Sequence, residues 1–133
     1  MDKLAILTVD DEKIILDSVR AQLERNFHNR FLLEFAQSAE EAMELTAGLL
    51  SGGATILLII SDYQMEGMKG DAFASWLREN YPNIHVVLIT GHMGHELSKS
   101  LLDSHLVDRV IQKPWKEEEL VDLILAISPE TDA

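Results

Sequence analysis

No cysteine occurs in the chain, which excludes disulfides, thiolate nucleophiles and thiolate-held zinc or iron–sulfur sites and is compatible with a reducing compartment. No apolar run approaches the roughly 18 residues that a membrane span requires. The opening segment MDKLAILTVDDE lacks both the separate basic region and the small-residue cleavage site of a secretory signal. A cytoplasmic location without membrane contact is therefore expected. Positive charge is scarce: 11 lysines and arginines stand against 23 acids, a formal net charge of −12. That balance repels phosphate backbones and anionic membrane surfaces, so direct nucleic-acid binding is not expected and protein partners are. Proline is rare, and no Gly/Pro/Ser-rich linker, repeat or low-complexity tract divides the chain. With 133 residues, 47% of them hydrophobic, one soluble globular domain is expected over residues 1–128, with a short tail at 129–133.

Short apolar runs alternate with segments of helical period five times. LAILTV (4–9) reads as a first strand, followed by a helix with Ile15, Val19, Leu23 and Phe27 along one stripe. RFLLEFA (30–36) is the second strand; Ser38 and Glu41 then have the spacing of a capping box that opens a helix carrying Ala42, Leu45 and Leu49. TILLIIS (55–61) is apolar on both faces, as the central strand of a covered parallel sheet should be. A helix with Phe73 and Leu77, the strand IHVVLIT (84–90), a helix at 96–103, the strand VDRVIQ (107–112) and the helix EEELVDLILAI (117–127) complete the pattern. Strands two and five carry the charges and so belong at the edges. The expected fold is α/β: a doubly wound five-stranded parallel sheet of order 2-1-3-4-5. In such sheets ligands bind at the carboxyl ends of the strands where the order reverses, here between strands one and three.

That edge is rich in chemistry. Asp10 and Asp11 follow the first strand, Asp62 ends the third, Thr90 ends the fourth, and Lys113 with Pro114 follows the fifth. Three converging carboxylates repel one another unless a cation stands among them, and hard oxygen ligands suit Mg2+. The turn after strand one, VDDEKI, has three acids and no glycine, so a bare phosphate is repelled and a metal-bound one attracted. Phosphoryl transfer to a carboxylate needs an oxygen nucleophile, a divalent cation and donors for the equatorial oxygens. Asp62, the Asp10/Asp11 pair, and Thr90 with Lys113 supply those roles.

VDDE, SDYQMEGMKG, LITG and KPW, each at its place in the five-fold repeat, resemble the receiver domain of two-component response regulators, the flavodoxin-like, CheY-like (β/α)5 fold. The resemblance covers nearly the whole chain. It implies Asp62 as phosphoacceptor, Asp10 and Asp11 as metal-side acids, and Gln64 as donor of a backbone carbonyl to Mg2+. It also implies that Thr90 and Lys113 contact the phosphoryl group and that Gly67 and Gly70 shape the loop. The implied partners are a histidine kinase or histidine phosphotransfer protein, and a downstream protein or effector domain at the face of the fourth helix, fifth strand and fifth helix. A signalling module rather than an enzyme is expected.

Two positions depart from that family's usual pattern: Glu66 stands where proline is usual, and Val110 where an aromatic residue commonly swings inward with the threonine. The alternatives are a receiver-like scaffold that works without phosphorylation and a magnesium-dependent aspartyl phosphatase of the haloacid dehalogenase type. The latter class places a second acid two residues after its nucleophile, where this chain has Gln64. Met65 and Met68 read as loop packing, Trp115 as an anchor for the last helix, and His92 and His95 as loop residues. His92, two residues after Thr90, joins Gln64 as a candidate influence on the lifetime of an aspartyl phosphate.

Overall fold

The computed structural model describes residues 3–91 and 94–129. His92 and the last four residues of the expected tail lie outside the described residues. Strands β1 (Leu4–Val9), β2 (Phe31–Ala36), β3 (Thr55–Asp62), β4 (His85–Thr90) and β5 (Arg109–Gln112) alternate with helices α1 (Lys13–Phe27), α2 (Ala39–Ser51), α3 (Gly70–Asn80), α4 (His95–Asp103) and α5 (Glu117–Ile127). All strand pairs are parallel, and the order is β2-β1-β3-β4-β5. The doubly wound sheet expected from the alternation is the one observed, with the charge-bearing strands at its edges.

The boundaries move for local reasons. On α1 the buried residues are Leu16, Val19, Leu23 and Phe27, so Leu16 and not Ile15 begins the inner stripe. Ser38 caps α2 by accepting the Glu41 N–H at 3.1 Å. The Glu41 carboxylate reaches back one residue further than a simple box, to the Gln37 N–H at 2.6 Å. β5 starts at Arg109, two residues later than the sequence pattern indicates, because Asp108 turns its carboxylate onto the Val86 N–H at 2.8 Å.

Two apolar layers cover the sheet. One joins Ile6, Leu58, Ile60, Val87, Ile89 and Ile111 to Val19 and Leu23 of α1 and to Leu120 and Ile124 of α5. The other joins Leu7, Val9, Ile59, Val86 and Leu88 to Ala42 of α2, Phe73 and Leu77 of α3, and Leu101 of α4. Each large side chain buried in these layers contributes on the order of 1.5–3 kcal/mol relative to exposure.

A register shift in the β1–β3 pairing sets the phase of the central strand: Ala5 faces Ile56 but Ile6 faces Leu58. Leu57 is the extra residue, and it lies in the same layer as Leu58. A bulge of this kind resets the two-residue alternation for all that follows. Downstream of it, Asp62 is in phase with Leu58 and Ile60, as Asp10 is with Ile6. The bulge therefore determines which side of the sheet the last carboxylate of β3 belongs to.

α3 begins at Gly70, whose N–H donates to the Tyr63 carbonyl at 2.9 Å. A Cβ at Gly70 would lie 2.6 Å from the Asp62 carbonyl oxygen and 2.8 Å from Tyr63 Cα. Both neighbours are backbone and neither can rotate away. Gly70→Ala is accordingly expected to lose about 1–3 kcal/mol of stability in a urea unfolding titration, with the displacement falling on the turn that carries Asp62. A midpoint equal to that of wild type would contradict this packing.

Candidate functional site

The carboxyl edge of the sheet brings together Asp10, Asp11 and Asp62, each offering an oxygen, with these oxygens all within 4.8 Å of one another. β1 and β3 are neighbours, so strand ends separated by 52 residues in sequence become adjacent in space. Asp10 is 1% exposed and Asp62 5%, while Asp11 faces solvent. A mouth with one exposed and two buried acids can admit a small cation from water yet hold it against fixed oxygens.

Lys113 lies among them. Its Nζ donates to Asp10 Oδ2 at 3.1 Å and lies 3.3 Å from Asp62 Oδ1. Lys113 is placed by its own N–H, which donates to the Thr90 carbonyl at 2.8 Å, and it precedes a cis bond to Pro114. Asp10 also accepts the Glu12 N–H at 2.8 Å, and Asp62 accepts the backbone N–H of Gln64.

These contacts do not offset the crowding. Burial, followed by the charge on Asp10, pushes the Asp62 carboxyl up from 3.8 to about 6 even with Lys113 beside it. Burial likewise raises Asp10, against the Glu12 and Lys113 hydrogen bonds. For Lys113, burial favours the neutral amine, but hydrogen bonds and charge from Asp10 and Asp62 outweigh it and the ammonium is held. One ammonium for three carboxylates leaves a surplus of negative charge in a partly dry pocket. All-oxygen donors, a surplus of negative charge and one open side fit a hard divalent ion such as Mg2+.

The remaining residues singled out in the sequence fall around this pocket. Thr90, 1% exposed, ends β4 in phase with Val86 and Leu88, on the α3/α4 side of the sheet. It lines a cavity of about 290 Å3 with His95, Ser98, Val110 and Gln112. Val110 borders that space without filling it. Gln64 and Glu66 are exposed, Met65 is buried, and Met68 packs against the core. Gly67 has φ of 81°, a conformation in which a side chain is strained. Trp115 donates its indole N–H to Gln22 at 2.9 Å and so ties the segment before α5 to α1.

Two features had no signal in the sequence. The Asp10–Lys113 pair spans 103 residues, and only the folded sheet shows that Lys113 serves both buried acids. The second is an arginine network around Arg78 on α3, remote from any motif.

Fold and cluster together define a flavodoxin-like α/β module with an acidic pocket where the strand order reverses. Residues 6–125 match the family described as Response regulator receiver domain. Hydrogenase transcriptional regulatory protein HoxA of Cupriavidus necator is 32% identical across 92% of this chain and 24% of its own length. Transcriptional regulatory protein YvrH of Bacillus subtilis is 31% identical across 95% and 49%. This chain thus spans between about a quarter and a half of the length of those two curated relatives. Among solved structures, the signal receiver domain of an HD domain-containing protein from Pseudomonas fluorescens superposes with a TM-score of 0.81 at 25% identity over 94% of each chain. A CheY-like receiver domain protein of Methanospirillum hungatei gives 0.78 at 25% identity, covering 94% and 93%. The chain belongs to the receiver domains of two-component response regulators. Receiver domains are signalling modules. Among the described residues no helix is long and apolar enough to cross a membrane.

The raised Asp62 pKa carries a sign for stability. Between pH 3.8 and about 6 the folded protein holds a proton that the unfolded chain has released. The stabilisation is thus complete below the lower value and lost as pH rises through the upper one. Without divalent cations, Asp62→Asn is expected to be more stable than wild type at pH 7 by on the order of 2 kcal/mol, with the gap closing towards pH 4. Millimolar Mg2+ should narrow it at pH 7. Chemical denaturation across this pH range checks both trends, and a variant less stable than wild type at pH 7 without metal would contradict them.

Proposed function

We propose that this domain is a phosphorylation-dependent switch with Asp62 as phosphoacceptor. The observation that carries the reading is the buried Asp62 carboxylate, held 3.3 Å from Lys113 inside a three-acid cluster. With its pKa at about 6, Asp62 remains largely ionised near neutrality and so presents a nucleophilic oxygen. That oxygen attacks phosphorus and forms the acyl phosphate as the P–N bond of a phosphohistidine donor breaks; the imidazole nitrogen leaves with the electron pair and takes up a proton. The donor is a histidine kinase or a histidine phosphotransfer protein.

Asp10, Asp11, Asp62 and the Gln64 backbone carbonyl would hold Mg2+, which supplies charge compensation for the incoming phosphoryl oxygens. Lys113 then has a new acceptor: once Asp62 is phosphorylated its charge resides on the phosphoryl oxygens, and the ammonium follows. The Thr90 hydroxyl approaches from the other side of the sheet.

Movement of Thr90 changes the cavity it shares with Val110, His95 and Ser98. This couples the reaction to the face of α4, β5 and α5, the surface offered to a downstream protein or an effector domain. With valine at 110, the coupling works through the walls of that cavity rather than through an aromatic ring. Val110 and Glu66 are also the features that favour the scaffold reading.

Incubation with a small-molecule phosphodonor, followed by intact mass, tests the proposal. A single phosphoryl adduct is expected that requires both Mg2+ and Asp62 and is absent from Asp62→Asn. A folded wild-type protein that takes no phosphoryl group would overturn it and favour the scaffold. Lys113→Ala is expected to retain the fold and to slow the adduct by about tenfold or more, since an ammonium aimed at the developing charge is removed.

A further inference from the structure

α4 and β5 are joined by one short connection yet are anchored differently. Of the described residues of α4, Leu101 alone is buried, and Leu97 and Leu102 are exposed. β5 is a four-residue edge strand paired only with β4. Even so, the residue that follows β5 is Lys113, which has to stand within hydrogen-bonding reach of two buried acids.

Arg78, on α3, accounts for the difference. Its Nε donates to the Leu106 carbonyl at 2.9 Å, its Nη1 to the carbonyls of Ile84 at 2.8 Å and Pro82 at 3.2 Å, and its Nη2 to Asp108 Oδ2 at 3.1 Å. Asp108 accepts the Val86 N–H at 2.8 Å through the same oxygen and donates its own N–H to the Val86 carbonyl at 2.7 Å. His85 Nδ1 stands 3.5 Å from Asp108 Oδ1. One planar guanidinium thus joins α3, the start of β4 and the chain just before β5. None of its acceptors lies in α4.

Its five donors in a rigid fork suit this set of acceptors, which one ammonium could not serve. At the far end the Lys113 N–H bonds the Thr90 carbonyl. β5 is consequently pinned to β4 at both ends while the helix before it is pinned by one side chain.

We propose that Arg78 is a positioning residue for the acidic site: by clamping residues 106–108 to β4 it keeps Lys113 at Asp10 and Asp62 independently of α4. The functional part of this inference rests on the phosphoacceptor reading above. The clamp itself does not.

Three variants test it: Arg78→Met, the milder Arg78→Lys in case the first does not fold, and Leu101→Ala, which removes the one buried side chain of α4 but none of the atoms that Arg78 bonds, the Leu106 N–H keeping its backbone acceptor at 101. Amide hydrogen exchange at residues 111–113, Mg2+ affinity and the rate of phosphorylation by acetyl phosphate are compared with wild type. For the Arg78 variants, exchange at 111–113 is expected to quicken and phosphorylation to slow by about tenfold. Their Mg2+ Kd should be no larger than that of wild type, because β1 and β3 supply the acids and a displaced ammonium no longer competes with the cation. Leu101→Ala should leave exchange at 111–113 and the rate near those of wild type.

Wild-type exchange at 111–113 in the Arg78 variants would overturn the proposal. So would Mg2+ affinity that weakens in step with the rate, or a Leu101→Ala variant that behaves like the Arg78 variants. If wild type itself accepts no phosphoryl group, the phosphoacceptor reading fails, and the exchange comparison still decides whether the clamp holds β5.

Discussion

A single ammonium, that of Lys113, stands between two buried carboxylates, and the arrangement of the sheet edge follows from that shortage. At the 3.1 Å separation from Asp10 the attraction is on the order of 5 kcal/mol at an effective dielectric near 20. Desolvation of both partners cancels much of this. Lys113 therefore does not stabilise the pocket so much as keep its two inner acids from expelling each other. The surplus charge remains, and Asp62 shows it in a carboxyl pushed up to about 6. A pocket in this condition gains from any cation that enters and from any reaction that removes the charge of Asp62, and receiver chemistry as proposed here does both.

Tolerating this imbalance requires a rigid surround. β3 is buried along nearly its whole length, and β1 beside it is packed on both faces. The apolar packing of these two strands is what makes the aspartate usable. Asp62 ends a strand packed by isoleucine and leucine and is itself 5% exposed, so water answers little of its charge and the rest must be answered locally. By contrast, the surface pair between Arg25 and Glu117, with Arg25 60% exposed, ties α1 to α5 at little net gain, because water answers both charges already.

Much of this was legible in the sequence because the signals were periodic. The alternation of strand and helix gave the sheet order, and the charges in strands two and five marked the edges. The positions of Asp10, Asp62, Thr90 and Lys113 at strand ends followed once the strands were known. Features that depend on phase or on distant partners were not legible. The bulge at Leu57 leaves no mark in a run of leucines and isoleucines, since each residue there is apolar whichever way it points. Arg78 has no signal in the sequence, because its acceptors are three backbone carbonyls and the Asp108 carboxylate that the tertiary fold brings within reach. For Lys113 the resemblance implies contact with the phosphoryl group, whereas its pairing with Asp10 has no signal across 103 residues.

The sheet also divides charge from movement. Asp10 and Asp62 are in phase with the layer under α1 and α5, whereas Thr90 is in phase with the layer under α3 and α4. The end of β4 lies between the carboxylates and α4, and there the Thr90 carbonyl also takes the Lys113 N–H. Thr90 and Lys113 are thereby linked through backbone. A helix held by one buried leucine can respond to a shift of Thr90 with little resistance, while a strand bonded at both ends does not. On the phosphorylation reading proposed above, the same contrast would let a small adjustment at a rigid charged pocket be expressed as a larger rearrangement at a loosely held surface, since packed layers resist deformation and α4 has little packing to lose.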